Sequence, residues 1–234
     1  MSGHGSVRAV MVQTWRDLTF LHWRCDQAAV RKLIPAPLTV DECDGAAWIG
    51  LVPFLITGLT LPGAPPVPWL SAFPETNVRT YVIEPGGRRG VWFFSLDAAR
   101  LAAVAAARIG YGLPYFWSRM RVRHTDGEIR YTSRRRQGPS AQSDIVVVPG
   151  EPISQPSELE HFLTARFCLF ALRFGRLVRA DIEHAPWPLQ RARLRSLEQT
   201  LIEAAGLPTP EGDPLVHFAR SLDVRVGAPR SVQP

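Results

Sequence analysis

Residues Pro74 to Asp97 read PETNVRTYVIEPGGRRGVWFFSLD, two β-rich runs on either side of a Gly-Gly turn. NVRTYVI and RGVWFFSL carry the β-branched and aromatic residues that favour strands, and Gly86-Gly87 supply the positive φ of a tight reversal. An antiparallel hairpin is therefore expected. In its first run Glu75, Asn77, Arg79 and Tyr81 occupy every second position, so all four side chains share one face. An acid, an amide, a guanidinium and a phenol cannot pack against an apolar core without a large desolvation cost. This face must meet solvent or line a polar pocket.

Working outward, TWRDLTFLHWRCD alternates around Leu18, Phe20 and His22 as a strand does, and Asp26 then caps a short helix stopped by Pro35. AAWIGLVPFLI is β-rich but holds Pro53, which predicts an edge strand or a bulge. The stretch TGLTLPGAPPVPWLSAFP excludes regular structure over a long span and reads either as a lid or as a rigid surface loop. After the hairpin, DAARLAAVAAARIGYG predicts a helix with Asp97 as N-cap and Gly110 or Gly112 at its end. Strands follow at YFWSRMRVRHT, EIRYTSRR and SDIVVVP, the first two joined by Asp126-Gly127. SELEHFLTARF opens with the capping box Ser157/Glu160, and CLFALRF and RLVRADIEH form a hairpin around Gly175. PLQRARLRSLEQTLIEAAG is helical by propensity, with a first half that can also be read as a strand, and LVHFARSLDVRV closes the chain. The pattern is α+β and mainly β, with about eight to ten strands, short helices and no βαβ alternation. It predicts an antiparallel barrel or sandwich with helices outside.

The chain of 234 residues, 46% hydrophobic and 21% charged, is expected to form one domain over residues 1–234 with short flexible tails at 1–10 and 228–234. No apolar run reaches the roughly 20 residues of a membrane span, and MSGHGSVRAVMVQTW lacks the long apolar core of a secretory signal; no membrane association and a cytoplasmic location are the default expectation. The net charge of +6 invites a nucleic-acid reading, but the arginines are scattered and the run Arg134–Arg136 has no aromatic interleaving, so it is read as a solvated strand end and no nucleic-acid partner is expected. Cys25, Cys43 and Cys168 show no CxxC or zinc-ligand spacing and read as buried thiols. Asp44 beside Cys43 opposes a thiolate there.

FLHWRCD (20–26), LIPAPLTVDECDGAAWIGLVPF (33–54), PETNVRTYV (74–82), GVWFFSLDA (90–98), LPYFWSRM (113–120), FLTARFCLF (162–170) and IEHAPWPLQ (182–190) occur in the order seen in the YqjF-like DUF2071 family. The chain resembles that family over nearly its whole length. The resemblance implies a fold related to acetoacetate decarboxylase: a mainly antiparallel, cone-like β-barrel with short peripheral helices and an internal ligand cavity. The decarboxylase works through a Schiff-base lysine of lowered pKa. In the corresponding hairpin this chain has Ser95, Leu96 and Asp97, and Lys32, the only lysine of the sequence, lies in the early helix where an exposed position is expected. Imine-forming decarboxylation is not expected.

Glu75 matches the glutamate that the resembling decarboxylases carry on their pocket-facing strand, and with Tyr81 and His22 it forms the expected proton-transfer set. If Arg79 were its partner, Glu75 would be held ionised; their four-residue offset, about 13 Å in an extended strand, instead gives each a separate partner. Arg79 suits a substrate carboxylate through its planar fork, with Asn77, Ser95, Trp48, Trp92 and Tyr115 as further substrate-binding candidates. Trp23 and Trp117 are read alike as cavity wall or ordinary core. His184 before Pro186 is a second histidine to test. The spacing of His22, His184 and Glu75 specifies no metal site, and no cofactor is called for. Two functions remain in competition. One is a small-molecule enzyme performing enolisation, dehydration, cyclisation or lyase chemistry on a carboxylated or carbonyl-bearing metabolite. The other is a non-catalytic barrel that binds or senses a hydrophobic small acid. A barrel filled by its own side chains is a third, and self-association is left open.

Overall fold

The computed structural model describes residues 8–66, 69 and 71–232. The strands are β1 (Ala9–Cys25), β2 (Thr39–Val40), β3 (Ala47–Thr60), β4 (Phe73–Ile83), β5 (Arg89–Ala98), β6 (Tyr115–Thr125), β7 (Glu128–Arg135), β8 (Gln142–Pro152), β9 (Cys168–Arg173), β10 (Arg176–His184), β11 (Leu189–Gln199), β12 (Leu215–Gly227) and β13 (Arg230–Ser231). The helices are α1 (Gln27–Arg31), α2 (Leu101–Tyr111), α3 (Glu158–Thr164) and α4 (Leu201–Ala204), and none is long and apolar enough to cross a membrane among the described residues. The expected tails are partly in the sheet: β1 begins at Ala9 and β13 pairs with β10, while residues 1–7, 233 and 234 lie outside the described residues. The Pro/Gly-rich stretch is shorter than its composition suggests, since β3 runs to Thr60 and β4 starts at Phe73; its residues 67, 68 and 70 lie outside the described residues.

A nine-stranded barrel closes in the order β5-β6-β7-β8-β11-β12-β1-β3-β4, with β4 returning to β5. A second circuit shares β12, β1, β3, β4 and β5 and closes through β9 and β10. Pairing is antiparallel except where β5 runs parallel to β6 and to β9. Of the shared strands, β4 is buried on both faces along most of its length. Val78 and Val82 of β4 pack with Leu21, Leu51, Tyr131 and Ile145 in the core of the nine-stranded barrel. Tyr81, on the opposite face of β4, packs with Leu169, Ala180 and Val224 in the second circuit.

Two irregularities set which side chains enter the second circuit. At Asp17 the φ is +47°, and the β1–β3 register shifts between Arg16 and Leu21, so β1 carries one residue more than β3 over this interval. Pro53 lies opposite this bulge, at a point where the β1–β3 ladder has no partner for it, while pairing with Thr76 on its other side. The bulge reading of Pro53 accounts for its position, but the strand is central, between β1 and β4, not at an edge. In β5 the register shifts between Val78↔Ser95 and Arg79↔Phe93, leaving Phe94 as the extra residue.

Two expected helical assignments change. Asp97 is not an N-cap: it lies within β5, and α2 begins four residues later after Arg100, which makes no side-chain cap. Its carboxylate instead accepts from Arg135 Nε and Nη2 at 2.9 and 3.0 Å and from Ser118 Oγ at 2.6 Å. The Arg135 side chain is 1% exposed, so the Arg134–Arg136 run is not wholly solvated. The chain from Leu189 to Gln199 is strand β11, as the alternative reading of its first half allowed, and helix is confined to α4. Its Ala192, Leu194 and Leu197 are half-buried against the core while Arg191, Arg193 and Arg195 are exposed, and this one-sided burial outweighs helix propensity.

Candidate active site

The second circuit and α2 line a partly open cavity of about 190 Å³. Its wall is mostly apolar, with Val52, Phe54 and Ile56 from β3, Leu169 from β9, Ile182 from β10 and Val226 from β12. The alanine-rich side of α2 contributes Ala103, Ala106 and Ala107 at i, i+3 and i+4, one helical face, whose short side chains leave the volume open. Such a space suits a small metabolite rather than a drug-sized ligand.

Glu75, Asn77 and Arg79 project into the cavity from β4, as alternation requires. Glu75 is 3% exposed and accepts a hydrogen bond from Tyr115 Oη at 2.7 Å. Burial pushes its carboxyl up to about 7, against the opposing hydrogen bonds from Tyr115 and the Asn77 amide, and Asp97 adds to the rise. It is thus not the permanently ionised group that pairing with Arg79 would produce. Burial and the neighbouring Glu75 raise the Tyr115 phenol well above its usual range, so it remains a donor.

Arg79 has no carboxylate within ion-pair distance among the described residues. Its Nη2 makes only two long contacts, to Tyr81 Oη at 3.5 Å and Leu163 O at 3.4 Å, and its Nε is buried without a partner. The guanidinium lies over Phe20 and Tyr81, 5.3 and 5.8 Å from the ring centroids. These π contacts do not replace a counter-ion.

Tyr81 and His22 stand behind Arg79 and are not part of the cavity wall. Tyr81 Oη donates to Leu163 O at 2.7 Å, so its oxygen accepts from His22 Nε2 at 2.6 Å. The His22 ring is fully buried, and burial together with the Arg79 charge drives its pKa well below the ordinary value, leaving a neutral imidazole. A Cβ at Gly50 would stand 3.0 Å from His22 Cδ2, so glycine there makes room for the ring.

The other candidates are dispersed. Trp92 packs in the nine-stranded core because it points opposite to Phe93, which does line the cavity. The Phe94 bulge puts Ser95 opposite Val78, on the side away from the cavity, where its Oγ is buried and unpartnered. Trp48 donates from Nε1 to Cys43 O at 3.2 Å and is likewise no part of the wall. His184 lines a separate hollow, stacked on Phe167 at 4.7 Å. Among the described residues no group of three or more His, Cys, Asp or Glu side chains is arranged to hold a metal ion. Lys32 is exposed at the end of α1. Trp15 is a wall residue that sequence alternation does not reveal, because the Asp17 bulge switches the inward set from Met11, Gln13 and Trp15 to Leu18.

Glu75→Gln tests the buried proton. A carboxyl raised in the folded state contributes its stability below the unfolded value near 4.5 and loses it as pH rises through about 7. The amide variant should therefore gain on the wild type between about pH 4 and pH 8, by on the order of 3 kcal/mol in denaturant unfolding. The same stability difference at both pH values would contradict a buried, neutral Glu75.

Residues 12–223 match the model of DUF2071, described as an uncharacterized conserved protein family. The chain is 39% identical over 220 residues to the uncharacterized protein YqjF of Bacillus subtilis strain 168, covering 92% of this chain and 89% of that one. Among solved structures, the enduracididine biosynthesis enzyme MppR complexed with pyruvate superposes with a TM-score of 0.70 at 16% identity, over 99% of this chain and 93% of that one. Acetoacetate decarboxylase from Legionella pneumophila gives 0.68 at 13% identity, over 100% and 91%. An acetoacetate decarboxylase-like enzyme from Sphingomonas wittichii RW1 gives 0.65 at 15%, over 99% and 96%. The fold is acetoacetate decarboxylase-like.

Proposed function

The chain belongs to the DUF2071 family, and from that premise we propose a small-molecule enzyme that works by proton transfer without a Schiff base. Its substrate is a carboxylated or carbonyl-bearing metabolite seated against Arg79. The reaction is of the enolisation, dehydration, cyclisation or lyase type. One observation carries the reading: a buried guanidinium without a carboxylate partner shares a small apolar cavity with a carboxyl whose pKa is about 7. A carboxyl poised there can take and return a proton at neutral pH.

In this mechanism Arg79 pairs with the substrate carboxylate, and the apolar wall keeps bulk water from screening the pair. Glu75, once ionised, removes a proton from the substrate carbon that lies next to the carboxylate or next to a second carbonyl group. The Tyr115 phenol, already aimed at Glu75, steadies the carboxylate and limits its rotation. Tyr81, held by His22 and Leu163 O, positions Arg79 from behind. Among the described residues the cavity wall carries no amine, and the only lysine of the sequence is exposed at the end of α1. That MppR is complexed with pyruvate supports a small carboxylate as the class of ligand for this fold.

The test is exchange of carbon-bound protons of small oxo and hydroxy acids with solvent deuterium. Exchange is expected to rise with pH through about 7, as Glu75 becomes the base, and to fall ~10²–10⁴-fold in Glu75→Gln while binding persists. Tight binding with no exchange across the acids would instead identify a non-catalytic binding barrel.

A further inference from the structure

Among the described residues, three buried polar atoms on side chains that line the cavity have no hydrogen-bond partner: Trp15 Nε1, Asn77 Oδ1 and Arg79 Nε. Orphaned buried polar atoms are rare, and each lowers stability unless something pairs with it. Their chemistry differs. Arg79 and Trp15 offer N–H donors, while Asn77 offers an acceptor, its amide nitrogen being engaged with Glu75. Trp15 is held in place by stacking on Trp187 at 5.8 Å and by an edge contact to Phe54 at 5.5 Å. The Trp15 donor is therefore fixed before a ligand arrives.

We propose that the cavity recognises a small hydroxy acid: a monocarboxylate with a hydroxyl at C2 or C3 and a short apolar chain. The inference rests on Arg79 holding the substrate carboxylate, as argued above. With the carboxylate on Arg79, Asn77 lies two residues back along the same face of β4, about 7 Å away at the backbone. A hydroxyl one or two carbons from the carboxylate donates its proton to Asn77 Oδ1. A ligand oxygen accepts from Trp15 Nε1, and the alkyl chain meets Val52, Phe54 and Ile56.

The same inventory rejects close analogues. A simple fatty acid or a 2-oxo acid has no donor for Asn77 and leaves that oxygen unpaired. An α-amino acid brings three ammonium donors to one free acceptor and sets its positive charge near Arg79. A dicarboxylate has a second charge and only the apolar wall to meet it.

Titration calorimetry with 2-hydroxybutyrate, 3-hydroxybutyrate, 2-oxobutyrate and butyrate tests this. The better hydroxy acid is expected to bind at least ~10-fold tighter than butyrate and 2-oxobutyrate. In Asn77→Leu that advantage should shrink to about twofold or less, with butyrate still bound; Trp15→Phe, which removes only the N–H donor, should weaken the hydroxy acid with the fold kept. Equal affinity for all four acids in the wild type would overturn the hydroxy-acid inference while leaving the carboxylate reading intact. Failure of all four acids to bind would overturn both.

Discussion

Arg79→Met is expected to raise the stability of the ligand-free protein by about 1–4 kcal/mol and, in the same variant, to weaken carboxylate binding by ~100-fold or more. The two effects share a cause. Arg79 is 8% exposed, its Nε has no partner and its Nη2 makes only two long contacts. A charge held this way costs desolvation that the free protein does not recover. Methionine fills the space beside Phe20 and Tyr81 without that cost. A structural arginine would behave in the opposite way, because its removal would strip partners from other buried groups. Denaturant unfolding and calorimetry on one preparation separate the cases. Loss of stability in Arg79→Met would show that the residue serves the fold and not a ligand.

The second large effect concerns a charge that is paired. Asp97→Ala should destabilise the protein by ~3–5 kcal/mol. The substitution leaves Arg135, 1% exposed at its side chain and 3.9 Å from the centroid of the Phe116 ring, with no counter-ion inside the sheet. Asp97 also takes the Ser118 hydroxyl, so three strands, β5, β6 and β7, meet at this carboxylate. For a chain of this size the melting temperature should drop by on the order of 10 °C. The double variant Asp97→Leu/Arg135→Met should recover most of the loss, since it removes both charges together. A single variant as stable as the wild type would contradict the pinning role.

The contrast between these two arginines explains what the sequence could and could not reveal. The polar face of β4 was legible because strand alternation is local, and Glu75, Asn77 and Arg79 share the cavity as period two demands. The β4–β5 and β9–β10 hairpins and the Ser157/Glu160 capping box were legible for the same reason. Asp97 was not. A carboxylate before an alanine-rich run looks like an N-cap, and its partner Arg135 lies 38 residues away. Trp92 and Ser95 face away from the cavity, Ser95 because Phe94 bulges, and Trp15 enters it because Asp17 adopts positive φ; neither bulge has a glycine or proline next to it on its own strand. The β11 segment has helix-forming residues whose inward leucines decided the outcome through burial. Local pattern thus located the polar face, and long-range packing determined which residues join it.

The most direct test of the central claim is a crystal structure of the protein after incubation with metabolites extracted from its native host. The account predicts a small acid inside the second circuit, with its carboxylate oxygens within hydrogen-bond distance of Arg79 and its reactive carbon facing Glu75. A cavity holding only water, or a ligand whose carboxylate lies away from Arg79, would contradict it.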